Sequence, residues 1–147
     1  MIKYKTGNLF AQTNGIIAHG CNAQGVMGAG VAKLVKHYYP EAHLSYINHI
    51  KEYKESRNEP IGTIDLVKVT DRLYIANCIT QKFYGRDPNT IYVNYKAIST
   101  VFAMLESCVL PIHIPRIGAG LANGDWEIIE QIINDSAPTS DITCWTL

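Results

Sequence analysis

Two glycine-rich segments constrain the fold of this chain more than any other sequence feature. The apolar run 15–19 (GIIAH) leads into GCNAQGVMGAG, and the run 109–114 leads into PRIGAGLANGDW. An amphipathic segment follows each of them. Glycine allows positive φ and close backbone approach, so it suits a tight turn from a strand into a helix. Two such strand–turn–helix units in 147 residues predict an α/β fold.

Strand-like and helix-like periodicities alternate along the rest of the chain. Predicted strands cover residues 2–5, 15–19, 63–69, 73–79, 109–114 and 142–147. Predicted helices cover residues 31–38, 43–53, 93–105 and 126–133. A short turn joins the third and fourth strands as in a hairpin, and a polar loop is predicted over 80–90. We therefore expect one domain, 1–147, with a mixed sheet covered on both faces.

Charge and composition restrict the partners. Lysine plus arginine equals aspartate plus glutamate at 13 each, so a broad nucleic-acid footprint is not expected. No apolar run approaches the roughly 20 residues that span a bilayer, so no membrane partner is expected. The four cysteines have no zinc-site spacing and are predicted to be free thiols. We expect a cytoplasmic monomer with no metal and no cofactor.

The two glycine-rich segments also predict a ligand site. Ligands of open α/β sheets bind beyond the carboxyl ends of the strands, where such loops meet. Successive backbone N–H groups and a helix N-terminus attract phosphate groups. Neither segment is a Walker A loop or a good GxGxxG fingerprint. Two loops at one crevice suit a diphosphate held from both sides, and the alternative is that the glycines only form tight turns.

Five segments together resemble the macrodomain family in order and spacing over essentially the whole chain: KTGNLF, AHGCNAQGVMGAGVA, ITQKFYG, IPRIGAGLANGDW and TCWTL. The chain is most similar to small macrodomains of the ADP-ribose 1″-phosphate phosphatase and terminal ADP-ribose protein glycohydrolase types. The resemblance implies a three-layer αβα sandwich with a mixed sheet and a cleft for ADP-ribose. It does not decide whether that cleft is catalytic.

The resemblance also implies which residues contact the ligand. Asn8 and Leu9 would border the adenine, unless Asn8 is only a turn residue, and Leu147 would close that end. Asn22 would face the distal ribose. The distal ribose and the diphosphate would lie against the backbone of Gly28, Ala29 and Gly30. The opposing phosphate loop would consist of Arg116, Ile117, Gly118, Ala119, Gly120 and Leu121.

Two positions depart from the glycohydrolase type. Gln81 stands where that group has a lysine, and Ala122 stands where it has an aspartate. Lys82 is next along the chain, but one step along an extended backbone reverses the direction of the side chain. Both departures count against covalent lysine chemistry on an ADP-ribosyl ester.

A phosphatase needs a held phosphate, an aimed water and a protonated leaving oxygen. His19 ends the strand before the first loop and Asp125 follows the second, so they are the candidate acid–base groups. Asn22 is the candidate for orienting the water or the ribose hydroxyl. The alternatives are a structural, hydrogen-bonded His19 and a helix-capping Asp125. Phe83 and Tyr84 either line the distal ribose or pack the loop.

Three functions follow from these expectations. The first is hydrolysis of ADP-ribose 1″-phosphate to ADP-ribose and phosphate by a mechanism without metal. The second is a binding module for ADP-ribose that performs no chemistry. The third is removal of ADP-ribose from modified protein or nucleic acid, or hydrolysis of another signal derived from NAD, for which Lys82 is the supporting residue.

Overall fold

The computed structural model describes residues 1–147 and contains six strands and four α-helices. The strands are β1 (Lys3–Thr6), β2 (Gly15–Asn22), β3 (Ile64–Lys68), β4 (Leu73–Gln81), β5 (Ile112–Ile114) and β6 (Ile142–Thr146). The helices are α1 (Gly30–Tyr38), α2 (Pro40–Glu55), α3 (Tyr95–Glu106) and α4 (Trp126–Ser136). The predicted α/β class and the predicted order of elements are confirmed.

All six strands form one sheet in the order β1-β6-β5-β2-β4-β3. Every neighbouring pair is parallel except β3 and β4, which form the predicted antiparallel hairpin. The sheet is therefore mixed, as expected. Because β5, β2 and β4 are adjacent and parallel, their carboxyl ends and the loops that follow them meet at one edge of the sheet.

The sheet separates two hydrophobic clusters. Alternate residues of β2 point to opposite faces, so Ile16 belongs to one cluster and Ile17 to the other. The first cluster includes Phe102 of α3 and Ile129 of α4, and the second includes Tyr46 of α2. Helices thus cover both faces of the sheet, which explains why the apolar run in β2 shows no alternation. No helix is both long and apolar enough to cross a bilayer.

Several boundaries differ from the sequence-based predictions, and β2, for example, continues to Asn22 rather than ending at residue 19. Helix α2 begins at Pro40 rather than at residue 43. Proline suits the first position of a helix, because the N–H group that it lacks has no partner within the helix at that position. Strand β4 continues to Gln81, which pairs with Val93 in an isolated bridge. Strand β5 begins at Ile112 rather than at residue 109, because Val109 has a φ of 50° that no extended strand contains.

The conformation of Val109 generates a prediction about stability. Its side chain is 88% exposed, and a β-branched residue at positive φ is strained. We expect Val109→Gly to raise the free energy of unfolding by about 1 kcal/mol, because strain is relieved and little packing is lost. Urea denaturation measures the change. Val109→Ala, which keeps a Cβ, is the control, and a lower midpoint for the glycine variant would contradict the strain.

Candidate functional site

A cleft of about 620 Å³ opens at the carboxyl ends of β5, β2 and β4. Its volume lies within the roughly 300–1,000 Å³ of small-molecule sites. Three loops enclose it: the loop after β2, the loop after β4 and the loop after β5. The lining consists of residues 20–22, 26, 28–32, 81, 84–86, 115–118 and 120–122. The cleft therefore lies where the two glycine-rich segments predicted a ligand site.

The first side of the cleft is the N-terminus of α1. The N-cap residue Ala29 has no side chain that could accept a hydrogen bond. The N–H groups of Gly30, Val31 and Ala32 have no hydrogen-bond partner within the protein, and all three residues line the cleft. Helices α3 and α4 are capped by an asparagine and an aspartate side chain, and α2, which also lacks a side-chain cap, begins with a proline that has no N–H to satisfy. The start of α1 thus has free N–H groups at the positive end of a helix dipole, an arrangement that attracts anions.

The second side is the loop after β5. The N–H groups of Gly118, Gly120 and Leu121 also have no partner within the protein, and these residues line the cleft. Gly118 has a φ of 78°, and a Cβ there would lie 2.8 Å from Cγ2 of Val93, so the turn requires glycine. Arg116 adds an exposed guanidinium that forms no ion pair. We call these two sets of three amides the α1 cradle and the β5 cradle.

Asn22 holds the loop of the α1 cradle in place. Its Oδ1 accepts from the N–H of Gln24 at 3.0 Å and from the hydroxyl of Tyr46 at 2.9 Å. Its Nδ2 donates to the carbonyl oxygen of Val26 at 2.8 Å. Asn22 lines the cleft as predicted, but its side chain is already engaged with the protein. The structure therefore assigns it to support of the loop, and the predicted role in orienting water stays a prediction.

His19 lies outside the cleft, which corrects its prediction as an acid–base group. Its side chain is fully buried on the β2 face that packs beneath α1 and α2. Its Nε2 donates to Oδ1 of Asn77 at 2.6 Å, and Nδ2 of Asn77 donates to the carbonyl oxygen of Ala42 in α2. Burial lowers the pKa of His19 from 6.5 to about 4, against the opposing effect of the Asn77 hydrogen bond. His19 is a neutral structural residue at pH 7.

Asp125 does not line the cleft, and its predicted catalytic role stays a prediction. Its Oδ1 accepts from the N–H of Glu127 at 2.9 Å, so the side chain caps α4. Its backbone N–H donates to the hydroxyl of Tyr95 at 3.0 Å. The alternative role as a helix cap is the one that the structure supports.

Four of the predicted ligand-binding residues do not line the cleft. Asn8 caps a short 3₁₀ turn by accepting from the N–H of Phe10 at 2.9 Å. Leu9 is buried in the cluster beneath α1 and α2, and Ala119 packs against the cluster on the other face of the sheet. Leu147 is exposed to solvent. The predicted contacts of Asn8, Leu9 and Leu147 with the adenine stay predictions. The other nine line it: Asn22, Gly28, Ala29, Gly30, Arg116, Ile117, Gly118, Gly120 and Leu121.

The loop after β4 contributes Arg86, a lining residue that the sequence did not single out. Of the two aromatic residues named from the sequence, Tyr84 lines the cleft and Phe83 does not. Together with Arg116, Arg86 gives the lining two guanidinium groups, and the lining contains no aspartate, glutamate, histidine or lysine. A chain of zero formal net charge thus presents a locally positive cleft, suited to an anionic ligand.

The two positions that depart from the glycohydrolase type both line the cleft. These are Gln81 and Ala122. Lys82 does not line it: its Nζ lies 5.5 Å from the centre of the Phe83 ring. Lys82 and Gln81 thus differ in position, as expected for successive residues on an extended backbone. Lys82 thus gives no support to a lysine-based reaction in this cleft.

A family model described as the Macro domain matches residues 18–133. The chain belongs to the macrodomain family. The matched span begins in β2 and ends in α4, so it contains all three loops of the cleft. The resemblance seen in the sequence motifs is thereby confirmed.

Relatives of this macrodomain include hydrolases. The ADP-ribose 1″-phosphate phosphatase of Debaryomyces hansenii is 27% identical over 166 residues, with 91% of this chain and 93% of that protein covered. The DNA ADP-ribosyl glycohydrolase of Mycobacterium bovis is 26% identical over 131 residues, with 89% of this chain but 37% of that protein covered. Both relatives support a hydrolase role.

A solved structure confirms the architecture. The macrodomain protein of Streptomyces coelicolor is similar to this chain with a TM-score of 0.81 and 27% identity, covering 100% of this chain and 99% of that one. The αβα sandwich with a mixed sheet, predicted from the resemblance, is therefore confirmed.

The burial of His19 generates a prediction about pH. Its pKa is about 4 in the folded protein and near 6.5 in the unfolded chain. Between these values the unfolded chain binds a proton that the folded protein does not, so acid favours unfolding. We expect His19 to remove about 3 kcal/mol from the free energy of unfolding as the pH falls from 7 to 4.

Urea denaturation at several pH values measures this loss. The variant His19→Gln should show a shallower dependence on pH than the wild type. The variant His37→Gln, which changes an exposed histidine of α1, is the matched control and should keep the wild-type slope. Equal slopes for all three proteins would contradict a buried, neutral His19.

Proposed function

We propose that this macrodomain binds ADP-ribose and hydrolyses ADP-ribose 1″-phosphate to ADP-ribose and phosphate. The observation that carries the proposal is the pair of cradles: six backbone N–H groups without partners, on two loops of one cleft. Such groups bind phosphate oxygens, and an adjacent guanidinium such as Arg116 strengthens the site. A diphosphate has an anionic group for each cradle.

The residues of the lining favour phosphate transfer over cleavage of a glycosidic bond. Glycoside hydrolysis usually uses a pair of carboxylates, and this lining has none. Phosphoryl transfer passes through a loose transition state and depends mainly on positioning and on stabilisation of charge. Free amides with Arg86 and Arg116 supply that kind of stabilisation. The cleft therefore suits a phosphatase better than a glycohydrolase.

The proposed reaction needs water and no covalent intermediate. A water oxygen attacks the phosphorus, the bond from phosphorus to O1″ breaks, and its electron pair leaves with O1″. One proton of the water ends on O1″ and the products are ADP-ribose and inorganic phosphate. The leaving group is an anomeric hydroxyl, which is more acidic than an ordinary alcohol, so its departure depends less on a strong general acid.

The relatives support the same choice. The phosphatase of Debaryomyces hansenii matches nearly the whole of both chains, whereas the glycohydrolase of Mycobacterium bovis is a longer protein. The alternative of removing ADP-ribose from protein or nucleic acid loses its supporting residue, since Lys82 lies outside the cleft. Gln81 and Ala122 supply neither a lysine nor an aspartate in its place.

A second candidate function has one specific observation in its favour. The lining holds no histidine and no carboxylate, the side chains that most often act as general acids and bases. A module that binds ADP-ribose and performs no chemistry needs only the two cradles. The two functions are separated by turnover, since both require binding of ADP-ribose.

A substitution at Gly120 tests binding. Gly120 lines the cleft, and a Cβ there would have no atom within 4 Å, so the fold should tolerate a side chain. We expect Gly120→Glu to weaken ADP-ribose binding at least about tenfold, because its carboxylate would repel the diphosphate. The isosteric control Gly120→Gln should change binding by less. Isothermal titration calorimetry gives both affinities, and thermal unfolding should show no difference between the variants.

The same proteins test turnover. Phosphate release from ADP-ribose 1″-phosphate should be measured for the wild type, Gly120→Gln and Gly120→Glu, and only the last should lose most of its kcat/KM. Binding of ADP-ribose without phosphate release above background would rule out the phosphatase and leave the binding module. Release of ADP-ribose from modified protein or DNA would favour the glycohydrolase instead.

A further inference from the structure

Arg86 is a cation of the cleft that the two cradles leave unused. It lies in the loop after β4, lines the cleft and is exposed. Its guanidinium forms no hydrogen bond and no ion pair with the protein, whose two salt bridges join Lys3 to Asp141 and Lys51 to Glu55. Arginine forks bind phosphate and carboxylate with paired hydrogen bonds. An arginine left unpaired in a ligand cleft is therefore available to an anion.

The backbone around Arg86 is anchored. On one side, Gly85 packs so closely on Tyr92 that a Cβ would overlap the tyrosine hydroxyl. On the other side, the N–H of Asp87 donates to the same hydroxyl at 3.2 Å. Nδ2 of Asn123, from the segment after the β5 cradle, donates to the carbonyl oxygen of Asp87 at 2.9 Å. These contacts hold the base of the Arg86 side chain at the cleft.

The carboxylate next to Arg86 in the sequence is engaged elsewhere. Oδ1 of Asp87 accepts from the N–H of Asn89 at 2.9 Å, and Oδ2 accepts from the hydroxyl of Thr90 at 2.9 Å. The hydrogen bond from Asn89, and to a lesser extent that from Thr90, lowers the pKa of Asp87. Asp87 thus stabilises its own turn, and the charge of Arg86 is left for a ligand.

Arg86 belongs to neither cradle. It follows β4, on the opposite side of β2 from β5, and the hydrogen bond from Asn123 to Asp87 joins its loop to the segment after the β5 cradle. With a diphosphate bound by the cradles and Arg116, Arg86 is left for a further anion. In the proposed substrate the only further anion is the third phosphate, and Arg86 is the only further cation of the lining.

We propose that Arg86 is a specificity residue that binds the phosphate on the distal ribose, so that this cleft prefers ADP-ribose carrying a terminal phosphate to ADP-ribose itself. The proposal rests on the proposed function, because it takes the diphosphate to lie between the cradles. It adds a division of roles: Arg116 with the cradles binds the diphosphate, and Arg86 binds the terminal phosphate.

Calorimetry with two ligands tests the proposal. The ligands are ADP-ribose and a phosphonate analogue of ADP-ribose 1″-phosphate that cannot be hydrolysed. The wild type should bind the analogue at least about tenfold more tightly than ADP-ribose. The variant Arg86→Ala should weaken binding of the analogue by about 10- to 100-fold and change that of ADP-ribose less than about twofold. Arg86→Lys, which keeps the charge without the fork, should lie between.

A matched control comes from the same loop. Lys82→Ala removes an exposed cation that does not line the cleft, and it should leave both affinities unchanged. The proposal is overturned if Arg86→Ala weakens both ligands equally, if it weakens neither, or if the wild type does not prefer the analogue or binds neither ligand.

Failure of this proposal and failure of the phosphatase are distinguishable. A preference for the analogue that depends on Arg86, without phosphate release from the natural ligand, would keep the proposal and rule out the phosphatase. Phosphate release with an unchanged KM in Arg86→Ala would keep the phosphatase and overturn the role of Arg86.

Discussion

The site depends on a helix N-terminus that the protein leaves uncapped. The first turn of an α-helix has N–H groups that need partners, and α3 and α4 obtain one from a side chain. Helix α1 starts after Ala29, which offers none, at the edge where parallel strands end. The glycine-rich loop after β5 brings a second set of free amides to the same cleft. A neutral chain thereby creates a strong local attraction for phosphate without a cluster of basic side chains.

The polar side chains nearest the cleft mostly support this backbone arrangement. Asn22 holds the loop before α1, His19 and Asn77 bond each other beneath α2, and Asp125 caps α4. The residue types most often found in acid–base catalysis are therefore engaged in structure. What remains in the cleft is mainly backbone amide and guanidinium, with Tyr84, Gln81 and Cys21 as further polar side chains. That inventory suits recognition of phosphate groups and a reaction that depends on stabilising their charge.

The features of the structure that depend on residues close together in the sequence were predictable. Glycine-rich turns after apolar runs and helical periodicity predicted the order of elements and the place of the cleft, and the family resemblance implied nine of its lining residues. The misplacement of His19 has a physical cause: β2 is buried on both faces, so its sequence lacks the alternation that would show which face His19 occupies. Arg86 was missed because its loop has no periodicity. Its position depends on contacts with Tyr92 and the more distant Asn123, which no local pattern reveals.

The most direct test of the cradles is the response of their own amides to ADP-ribose. In ¹⁵N–¹H correlation spectra of the labelled protein, titration with ADP-ribose should shift the amide signals of six residues most strongly: Gly30, Val31, Ala32, Gly118, Gly120 and Leu121. New hydrogen bonds to phosphate should move their protons downfield. Saturable binding with these six signals unmoved, and the largest shifts elsewhere on the protein, would contradict the account.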